Sequence, residues 1–428
     1  MASLLALSIK EMEELNLIRS CEIMGIIKET LKRLDPRLID HGDRVAFIVH
    51  EVLMQRGGCT EEQIQNICVM AFFHDIGAYK TDEIDHMVSF EIKNVWQHSV
   101  YGALFLKHFT PMGEQADAIL YHHLKYSDRK QFLSPYLHEA MLLHICDRVD
   151  ILQQLDVFSE DYFLQCSGTE FAPWSVDLLL QAERERHITE RLKNGEYIPV
   201  MESMALSVCS CFEKALSYLK MLVYIIDFKS SVTVTHTINT IAFSVLLSRL
   251  MGMDKVEQSK IYLGALLHDL GKISTPYEIL ESTGKLSFAE MEIMKKHVSV
   301  TYDILHGNLS EEICRIAARH HEKLNGNGYP WGLHEADLTT AERLVAVADV
   351  MSALAGRRSY KDSFSQERSV GIILQMAEDG LLDAEICRIV VEHYAEIISA
   401  AEDNCHGTIE IYEQLMEEYS QLLQEVLQ

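Results

Sequence analysis

The sequence predicts an all-helical protein that contains two similar domains in tandem. The composition is one reason: 48% of the residues are hydrophobic, while 7 prolines and 21 glycines are few for the many turns of a β protein. Length is another, because 428 residues exceed what a single hydrophobic core usually supports. The third is a pattern of histidine and aspartate residues that occurs once in each half of the chain.

The repeated pattern is a single histidine, a His-Asp pair, a second single histidine, a His-His pair and a final aspartate. The first copy contains His41, His74, Asp75, His98, His122, His123 and Asp147. The second copy contains His236, His268, Asp269, His297, His320, His321 and Asp349. One such histidine on an apolar helix would more often be a core residue. Imidazole and carboxylate together suit a pair of borderline-hard divalent metals, so the repeated set predicts two metal-binding clusters.

Helices are predicted on both sides of each cluster. Apolar residues recur at i, i+3, i+4 and i+7 in segments 64–73, 260–267, 311–319 and 341–351, a spacing that is typical of core helices. Gly77 and Gly271 each lie two residues after a His-Asp pair, where the chain is expected to leave its helix near the metal. Residues 1–185 are predicted to form the first domain.

The rest of the chain is predicted to contain a connector, a second domain and a closing helix. The connector covers residues 186–228 and includes one long helix from about residue 200 to residue 228. Its apolar stripe favours either burial in the core or a seam for homodimerisation. The second domain covers residues 229–400, and the acidic segment 401–428 is predicted to be a C-terminal amphipathic helix.

Charge and cysteine content exclude several classes of function. A net charge of −26 repels polyanions at long range, which argues against binding to a nucleic-acid polymer or an anionic membrane. A phosphate-bearing substrate must therefore be held by local cations. The 10 cysteines include no CxxC pair, and the first residues lack the uninterrupted apolar core of a signal peptide. We expect a reduced, cytoplasmic protein.

The order of these residues resembles the HD phosphohydrolase superfamily, whose fold is all-helical. HDLGK at 268–272 and HHEKLNGNGYP at 320–330 are similar to the HD-GYP subfamily, bacterial phosphodiesterases that linearise cyclic dinucleotides. The resemblance covers about residues 232–395 and implies that the second domain is catalytic. In the chain, an HD-like domain that lacks the GYP motif precedes the HD-GYP domain. This layout is similar to that of bacterial 3′,3′-cyclic GMP-AMP phosphodiesterases.

The resemblance also implies a cofactor. The second-copy residues match the ligands of two divalent metal ions, Fe or Mn in the first place with Ni, Co and Mg as alternatives, and Asp269 matches the carboxylate that bridges them. Val232 stands where some members have a glutamate that helps to hold a third metal, which implies a binuclear site. Asn325, Ser352 and Ser359 also depart from common family residues, so the base preference stays open.

Several further residues match substrate-binding or catalytic positions of the family. Lys272, together with Asp269, matches the catalytic pair, and the lysine would hold the scissile phosphate. Arg358 and Lys361 match cations that grip phosphate, the arginine through its two-pronged guanidinium. Gly326 and Tyr329 match the GYP loop, where the tyrosine would contact a base or a phosphate; a plain surface turn is the alternative.

The first copy keeps the ligand pattern but lacks other parts of the motif. Ala78 replaces the lysine, Leu124 replaces the glutamate after the His-His pair, and no GYP sequence follows. Three interpretations stay open: a second metal site with 5′-nucleotidase activity, a regulatory ligand sensor, or a decayed duplicate that is kept for packing. The intact ligands count against the last, because unpaired buried imidazoles and carboxylates are costly.

The leading hypothesis is a metal-dependent phosphodiesterase that opens 3′,3′-cyclic GMP-AMP or cyclic di-GMP to a linear 5′-phosphorylated dinucleotide. A general nucleotide phosphohydrolase is the alternative within the same enzyme class. A non-catalytic nucleotide-sensing module is the alternative from another class, and a diiron oxygenase is a third.

Overall fold

The computed structural model describes residues 15, 17–34, 36–78, 96–208, 211–228, 235–280, 282, 284–355 and 365–427, with backbone alone at 36–38, 206–208 and 403–405. Within these ranges the regular structure is helical, and β-structure is limited to three isolated bridges. The all-α fold class predicted from the sequence is confirmed. Among the described residues, no helix has both the length and the apolar character that crossing a membrane requires.

The first half of the chain contains eleven described α-helices. They are α1 Ser20–Leu34, α2 Pro36–Arg56, α3 Glu61–Phe73, α4 Trp96–Phe109, α5 Asp117–Leu120, α6 Leu137–Gln154, α7 Glu160–Gln165, α8 Pro173–Arg186, α9 Ile188–Lys193, α10 Tyr197–Val208 and α11 Phe212–Phe228. Short 3₁₀ turns at Gly113–Ala116 and Arg129–Gln131 lie between α4 and α6.

The second half of the chain contains nine described α-helices. They are α12 His236–Leu250, α13 Lys255–Leu267, α14 Tyr277–Leu280, α15 Phe288–Leu305, α16 Glu311–Ala318, α17 Thr340–Ala355, α18 Gln366–Glu378, α19 Ala384–Glu392 and α20 Tyr394–Leu427. Two further 3₁₀ turns, Leu270–Ser274 and Glu335–Asp337, follow α13 and α16.

The chain divides into two compact units. The N-terminal unit contains Leu34–Met221 and Leu415–Gln428, and the C-terminal unit contains Met1–Arg33 and Leu222–Gln414. The division differs from the predicted boundaries, because each end of the chain joins the unit that is built mainly from the other half. The apolar side chains of α1 explain its place, since Ile23, Ile26 and Ile27 are completely buried.

Helices α2, α3 and α6 form the framework of the N-terminal unit. Phe47 and Val49 of α2 are fully buried, as is Ile145 of α6. Helix α3 begins with a capping box, in which the Thr60 side chain accepts a hydrogen bond from Gln63 N and the Gln63 side chain accepts one from Thr60 N. This cap fixes the start of the helix that ends at the first His-Asp pair.

Helices α12, α13 and α17 form the framework of the C-terminal unit. Phe243, Leu247 and Ile261 are fully buried in its core together with residues of α17. Helix α13 also begins with a capping box, here between Asp254 and Glu257, and it ends at the second His-Asp pair. The two units therefore present their His-Asp pairs on similarly capped helices.

The predicted connector helix is not continuous. Instead of one helix from about residue 200 to 228 there are two, α10 and α11, and Cys211 between them lies in a bend. Cysteine is a weak helix former, which favours the bend at Cys211. The stripe residues Leu216, Leu219 and Leu222 are buried within the chain, which favours the core interpretation. Homodimerisation through this helix stays a prediction.

The last helix begins earlier than predicted. Helix α20 runs from Tyr394 to Leu427, so the predicted boundary at residue 401 falls inside it. Its first part belongs to the C-terminal unit, where Tyr412 packs edge-on against Phe228 with ring centroids 4.9 Å apart. Its last part belongs to the N-terminal unit, where Tyr419 stacks on Tyr101 of α4 at 3.9 Å.

Candidate metal centres

Seven side chains of the C-terminal unit come together where several helices end. Most of these residues lie at a helix terminus or in the turn that follows it, while two project from within a helix. They are His236 at the start of α12, His268 and Asp269 at the end of α13, His297 in α15, His320 and His321 after α16, and Asp349 in α17. The structure thus brings together all seven histidines and aspartates that the sequence predicts for the second cluster.

The carboxylate of Asp269 lies between two pairs of imidazoles. Its Oδ2 is 3.1 Å from His268 Nε2 and 3.4 Å from His236 Nε2. Its Oδ1 is 3.4 Å from His297 Nε2 and 3.9 Å from His320 Nε2. Each oxygen thus faces its own pair of nitrogens, which is the arrangement that a carboxylate bridging two cations would have.

Asp349 also reaches two sides of the cluster. Its Oδ1 is 3.1 Å from His236 Nε2, and its Oδ2 is 3.5 Å from His321 Nδ1. The ligand atoms form two compact groups in which every atom lies within 4.8 Å of the others. One group is His236, His268 and Asp269, and the other is His297, His320 and His321.

Hydrogen bonds orient three of the imidazoles so that their lone pairs face the centre. The Nδ1 atoms of His268, His297 and His320 each lie 2.6–2.7 Å from the carbonyl oxygen three residues earlier, so Nδ1–H donates and a neutral ring leaves Nε2 unprotonated. Burial lowers the pKa of His297 to about 4 and that of His320 to about 3. Their Nε2 atoms are 3.4 Å apart. Two facing lone pairs repel, and a bound cation would resolve this, so the residues fit a metal centre.

Lys272 lies directly beside the central carboxylate. Its Nζ is 2.5 Å from Asp269 Oδ2, and it is placed there by the 3₁₀ turn that follows the His-Asp pair. Burial disfavours the ammonium, but the negative charge of Asp269 outweighs burial and raises the pKa of Lys272. A permanent cation is therefore held at the edge of the cluster.

Close packing fixes the turn that carries these groups. A Cβ on Gly271 would lie 2.0 Å from the carbonyl oxygen of His297, so only glycine fits between the turn and α15. Gly271 N donates to Thr301 Oγ1 at 2.9 Å, and that hydroxyl donates to the carbonyl oxygen of His268 at 3.0 Å. These contacts fix the candidate ligands at the end of α13 and in α15 relative to each other.

The GYP segment forms a loop that packs against the cluster. Glu322 is buried, and its carboxylate accepts hydrogen bonds from the backbone N–H of Trp331 at 2.8 Å and of Leu333 at 2.9 Å. The ring of Tyr329 lies 4.8 Å from that of His321. Gly326 has a φ of +78°, a conformation that favours glycine, and its backbone lies against the His334 ring. Tyr329 is therefore beside the candidate ligands, whereas Gly326 shapes the loop.

Two of the predicted substrate-binding residues cannot be placed. Arg358 and Lys361 lie outside the described residues, as does Val232. Their proposed roles stay predictions.

The N-terminal unit contains a second cluster with closely similar geometry. Asp75 Oδ2 is 3.3 Å from His74 Nε2 and 3.6 Å from His41 Nε2. Asp75 Oδ1 is 3.6 Å from His98 Nε2 and 3.7 Å from His122 Nε2. Here too one carboxylate lies between two pairs of imidazoles.

The other two residues of the first copy also belong to this cluster. Asp147 Oδ1 is 3.1 Å from His41 Nε2, and His123 Nε2 is 3.0 Å from His98 Nε2. Three buried atoms of the cluster, His74 Nε2, His122 Nε2 and Asp75 Oδ1, have no hydrogen-bond partner among the residues that the structure describes. Buried polar atoms are normally satisfied, so these atoms fit a bound cation as well.

The two clusters differ in the group that supports the first histidine. In the N-terminal unit, His41 Nδ1 is 2.7 Å from Asp150 Oδ2, and Arg44 binds the same carboxylate through two hydrogen bonds of 2.6 and 2.9 Å. Burial opposes the charge on His41, but hydrogen bonds to Asp147 and Asp150 raise its pKa to about 10. A carboxylate behind a ligating histidine makes the histidine more basic and fixes its orientation.

In the C-terminal unit the corresponding supporting group is neutral. The hydroxyl of Ser352 is 2.9 Å from His236 Nδ1 and also donates to the His236 carbonyl oxygen at 2.9 Å. From the sequence, Ser352 is only a departure from the family, and neither Asp150 nor Arg44 was predicted to belong to the site. A signal existed, because Asp150 and Ser352 each lie one helical turn after the final aspartate of their copy.

Two other positions beside the clusters differ between the units, as the sequence predicted. Ala78, fully buried, occupies the place of Lys272, and Leu124, also buried, occupies the place of Glu322. Among the described residues, the N-terminal cluster therefore has no lysine in the position that Lys272 holds beside the C-terminal cluster.

Comparisons with known proteins agree with this duplicated architecture. Residues 38–152 and 220–386 each match a family model described as an HD domain. The chain is 29% identical over 383 residues to 3′3′-cGAMP-specific phosphodiesterase 1 of Vibrio cholerae, an alignment that covers 83% of this chain and 87% of that protein. The alignment therefore extends over both units.

A shorter relative matches only part of the chain. The cyclic di-GMP phosphodiesterase response regulator RpfG of Xanthomonas campestris is 37% identical over 131 residues, which are 30% of this chain and 35% of that protein. Among solved structures, a cyclic GMP-AMP-specific phosphodiesterase of V. cholerae, V-cGAP3, aligns over 90% of this chain and 98% of its own with a TM-score of 0.52 and 17% identity. That likeness concerns the fold alone.

The chain therefore carries two HD domains, each built around a cluster of histidines and aspartates that could hold metal ions.

Proposed function

We propose that this protein is a metal-dependent phosphodiesterase that hydrolyses a cyclic dinucleotide, 3′,3′-cyclic GMP-AMP or cyclic di-GMP, at the cluster of its C-terminal unit. The observation that carries the proposal is the position of Asp269, whose two oxygens face separate pairs of histidines while Lys272 lies beside it. A bridging carboxylate between two cation positions, with a cation at the edge, suits cleavage of a phosphate diester.

The donor set favours iron or manganese, with nickel, cobalt and magnesium as alternatives. The donors are imidazole nitrogens and carboxylate oxygens without sulfur, which suits such ions better than structural zinc. His236, His268 and Asp269 would hold one ion, and His297, His320 and His321 the other, with Asp349 completing the set. When bound, the ions supply an acidified water and positive charge beside the scissile phosphate.

The chain's own residues orient and neutralise the substrate. Lys272 exchanges part of its interaction with Asp269 for a contact with a phosphate oxygen, because a doubly anionic ligand brings new negative charge to the same place. Tyr329 offers a ring face next to His321 on which a nucleobase can stack. Hydrolysis adds one water across a P–O3′ bond, leaving a 5′-phosphate and a free 3′-hydroxyl.

The extent of similarity favours 3′,3′-cyclic GMP-AMP. The V. cholerae protein named for that substrate aligns over most of both chains, whereas the relative named for cyclic di-GMP aligns over about a third of this one. The loops around the base are not constrained by the metal ligands, so the alternative substrate belongs in every assay.

For the N-terminal unit we propose a second metal centre. Its support is the buried set of His74 Nε2, His122 Nε2 and Asp75 Oδ1, for which the described part of the chain offers no hydrogen-bond partner. Without a counterpart of Lys272 this centre suits a 5′-nucleotidase acting on the linear product, or a regulatory nucleotide site, better than cleavage of the ring.

Turnover of a substrate panel by the purified full chain tests the proposal. The protein is loaded anaerobically with iron or with manganese and supplied with 3′,3′-cyclic GMP-AMP, cyclic di-GMP and a nucleoside triphosphate. Chromatography should show a linear 5′-phosphorylated dinucleotide from at least one cyclic substrate. Hydrolysis of the triphosphate alone would favour a general nucleotide phosphohydrolase, and binding of a cyclic dinucleotide without any turnover would favour a sensing module.

A further inference from the structure

The first half of helix α15 in the C-terminal unit has no buried side chain. Helix α15 contains 18 residues, and its first buried side chain is that of His297. Residues 288–296, which precede it, are named the α15 tip here. The tip begins with a capping box, in which Ser287 Oγ accepts a hydrogen bond from Glu290 N at 3.3 Å and the Glu290 carboxylate accepts one from Ser287 N at 2.7 Å. Its helical structure therefore depends on the cap more than on packing against a core.

Three large apolar side chains of the α15 tip are exposed to solvent. Phe288 is 83% exposed, Met291 37% and Ile293 38%. Phe288 and Met291 are three residues apart and lie on the same side of the helix. A single exposed apolar side chain is ordinary on a protein surface, but a group of them with charged residues around it is typical of a surface that binds another protein.

The charged residues of the α15 tip are divided between its two ends. Glu290 and Glu292 lie in its first part, and Lys295 and Lys296 lie in its last part. The tip thus carries no net charge in a chain whose net charge is −26, so it is a place where two copies of the chain can meet without like-charge repulsion. Within one copy, Lys295 Nζ is 2.9 Å from Glu292 Oε1. This exposed ion pair can be exchanged for an equivalent pair between two copies.

The order of these charges makes the α15 tip complementary to itself. When a second tip is placed antiparallel to the first, the acidic part of each lies opposite the basic part of the other, and the apolar side chains meet between them. A surface that matches itself after rotation by half a turn is the requirement for a dimer with two-fold symmetry.

We propose that the α15 tip is the contact surface between two copies of this chain, which pair antiparallel about a two-fold axis near Ile293. The exposed apolar side chains supply the binding free energy, because ion pairs at a surface contribute little. The charges determine the orientation of the two copies. The contact area of a short helix segment is small, so the dimer is weak, with a dissociation constant of roughly 10 to 100 µM.

This dimer surface is not the one that the sequence predicted. The predicted seam was the apolar stripe of the connector, and its residues Leu216 and Leu219 are buried within the chain. The inference also concerns association and not metal chemistry. Its failure would therefore leave the proposed function untouched, and the converse holds as well.

Sedimentation equilibrium of the full chain over a range of concentrations tests the contact. The apparent mass of the wild type should rise with concentration from that of one chain toward that of two. Phe288→Asp should weaken dimerisation by at least about tenfold, because it removes the largest apolar side chain of the surface and adds a charge. The matched control is Leu133→Asp, which makes the same kind of change at a residue of the N-terminal unit that is 97% exposed. This control should dimerise like the wild type, and thermal unfolding of each variant checks the fold.

A pair of charge variants tests the antiparallel orientation. Glu292→Lys makes the α15 tip basic, and Lys296→Glu makes it acidic. Each variant alone should dimerise more weakly than the wild type, because like charges then face each other. An equimolar mixture of the two should form a mixed dimer that is tighter than either variant forms alone, and added salt should reduce this gain.

Four results would overturn the inference. A wild type that stays monomeric at about 300 µM, above the expected dissociation constant, would leave the α15 tip to a partner of different sequence. A dimer that survives Phe288→Asp would place the contact elsewhere, the connector helix included. Equal weakening by Leu133→Asp would show that the α15 tip has no special part in association. A mixture of Glu292→Lys and Lys296→Glu that associates no more tightly than the separate variants would exclude the antiparallel pairing.

Discussion

The two metal clusters have the same ligands and different surroundings. In each, one aspartate lies between two pairs of histidines, with similar distances in both units. The residues next to the ligands have diverged: Lys272 and Glu322 in one unit correspond to Ala78 and Leu124 in the other. This contrast is what we expect if metal binding constrains the shared histidines and aspartates, while the neighbouring residues decide which substrate can be held and cleaved.

The two units also differ in the group that supports the first histidine of each copy, and here the charged residues belong to the N-terminal unit. The N-terminal unit places the Asp150 carboxylate, itself bound by Arg44, behind His41, and the C-terminal unit places the Ser352 hydroxyl behind His236. We therefore expect the N-terminal cluster to retain metal more tightly and the C-terminal cluster to bind phosphate more readily. Four predictions test this contrast between the units.

The largest expected effect comes from removing the metal. Chelation of the full chain should lower hydrolysis of the cyclic dinucleotide by at least about a thousandfold, because the attacking water and the phosphate charge would lose their stabilisation. Product formation is followed by chromatography before chelation, after it and after manganese is added back. Full activity in protein shown to be free of metal would contradict a metal mechanism.

The next effect concerns the lysine that the N-terminal cluster lacks. Lys272→Met should reduce kcat by about 100- to 1,000-fold, the usual cost of losing one group that stabilises transition-state charge. Steady-state kinetics on the cyclic dinucleotide measure it, and Lys272→Arg serves as the variant that keeps the charge. A loss below about threefold would show that the lysine is dispensable, and the contrast with Ala78 would lose its meaning.

A smaller effect is expected from the acidic support of the N-terminal cluster. Asp150→Asn should weaken metal binding there by about 10- to 100-fold, because His41 would lose a carboxylate that orients it. Metal titration of the full chain measures this, and the ions of the C-terminal cluster act as an internal reference. Equal weakening at both clusters would indicate a general loss of folding instead.

The smallest effect is expected from the neutral support of the C-terminal cluster. Ser352→Ala removes one uncharged hydrogen bond to His236, so metal affinity there should fall by about 2- to 10-fold. The same titration measures it, now with the N-terminal ions as the reference. A loss as large as that of Asp150→Asn would show that charge behind the histidine makes no difference.

Much of the architecture could be predicted from the sequence because the relevant signals are local. The helical period and the order of histidines and aspartates both lie in short segments, and they predicted the all-α fold and the two sets of residues that the structure brings together. The break at Cys211 was missed, since the apolar stripe continues across it and only weak propensities oppose the helix. The exchange of chain ends between the units was also missed, because it depends on packing between distant segments.

The supports of the ligands were the part of the site that was hardest to predict. Arg44 and Asp150 are each one helical turn from a candidate ligand on their own helix, yet a charged residue at such a position is usually a solvated surface residue. Glu322 was known only as a motif residue, and its two hydrogen bonds to the loop backbone follow from the three-dimensional path of residues 322–333. Such roles depend on which groups the end of a side chain reaches in the folded protein. The spacing of residues along the sequence does not determine this.

One side-by-side measurement tests the central claim most directly. Asp269→Asn and Asp75→Asn make the same change at the bridging position of each cluster, and both are assayed for hydrolysis of 3′,3′-cyclic GMP-AMP and cyclic di-GMP by the manganese-loaded full chain. We predict that Asp269→Asn abolishes ring opening while Asp75→Asn still opens the ring. Ring opening that survives in Asp269→Asn, or is lost only in Asp75→Asn, would contradict the assignment of the catalytic site to the C-terminal unit.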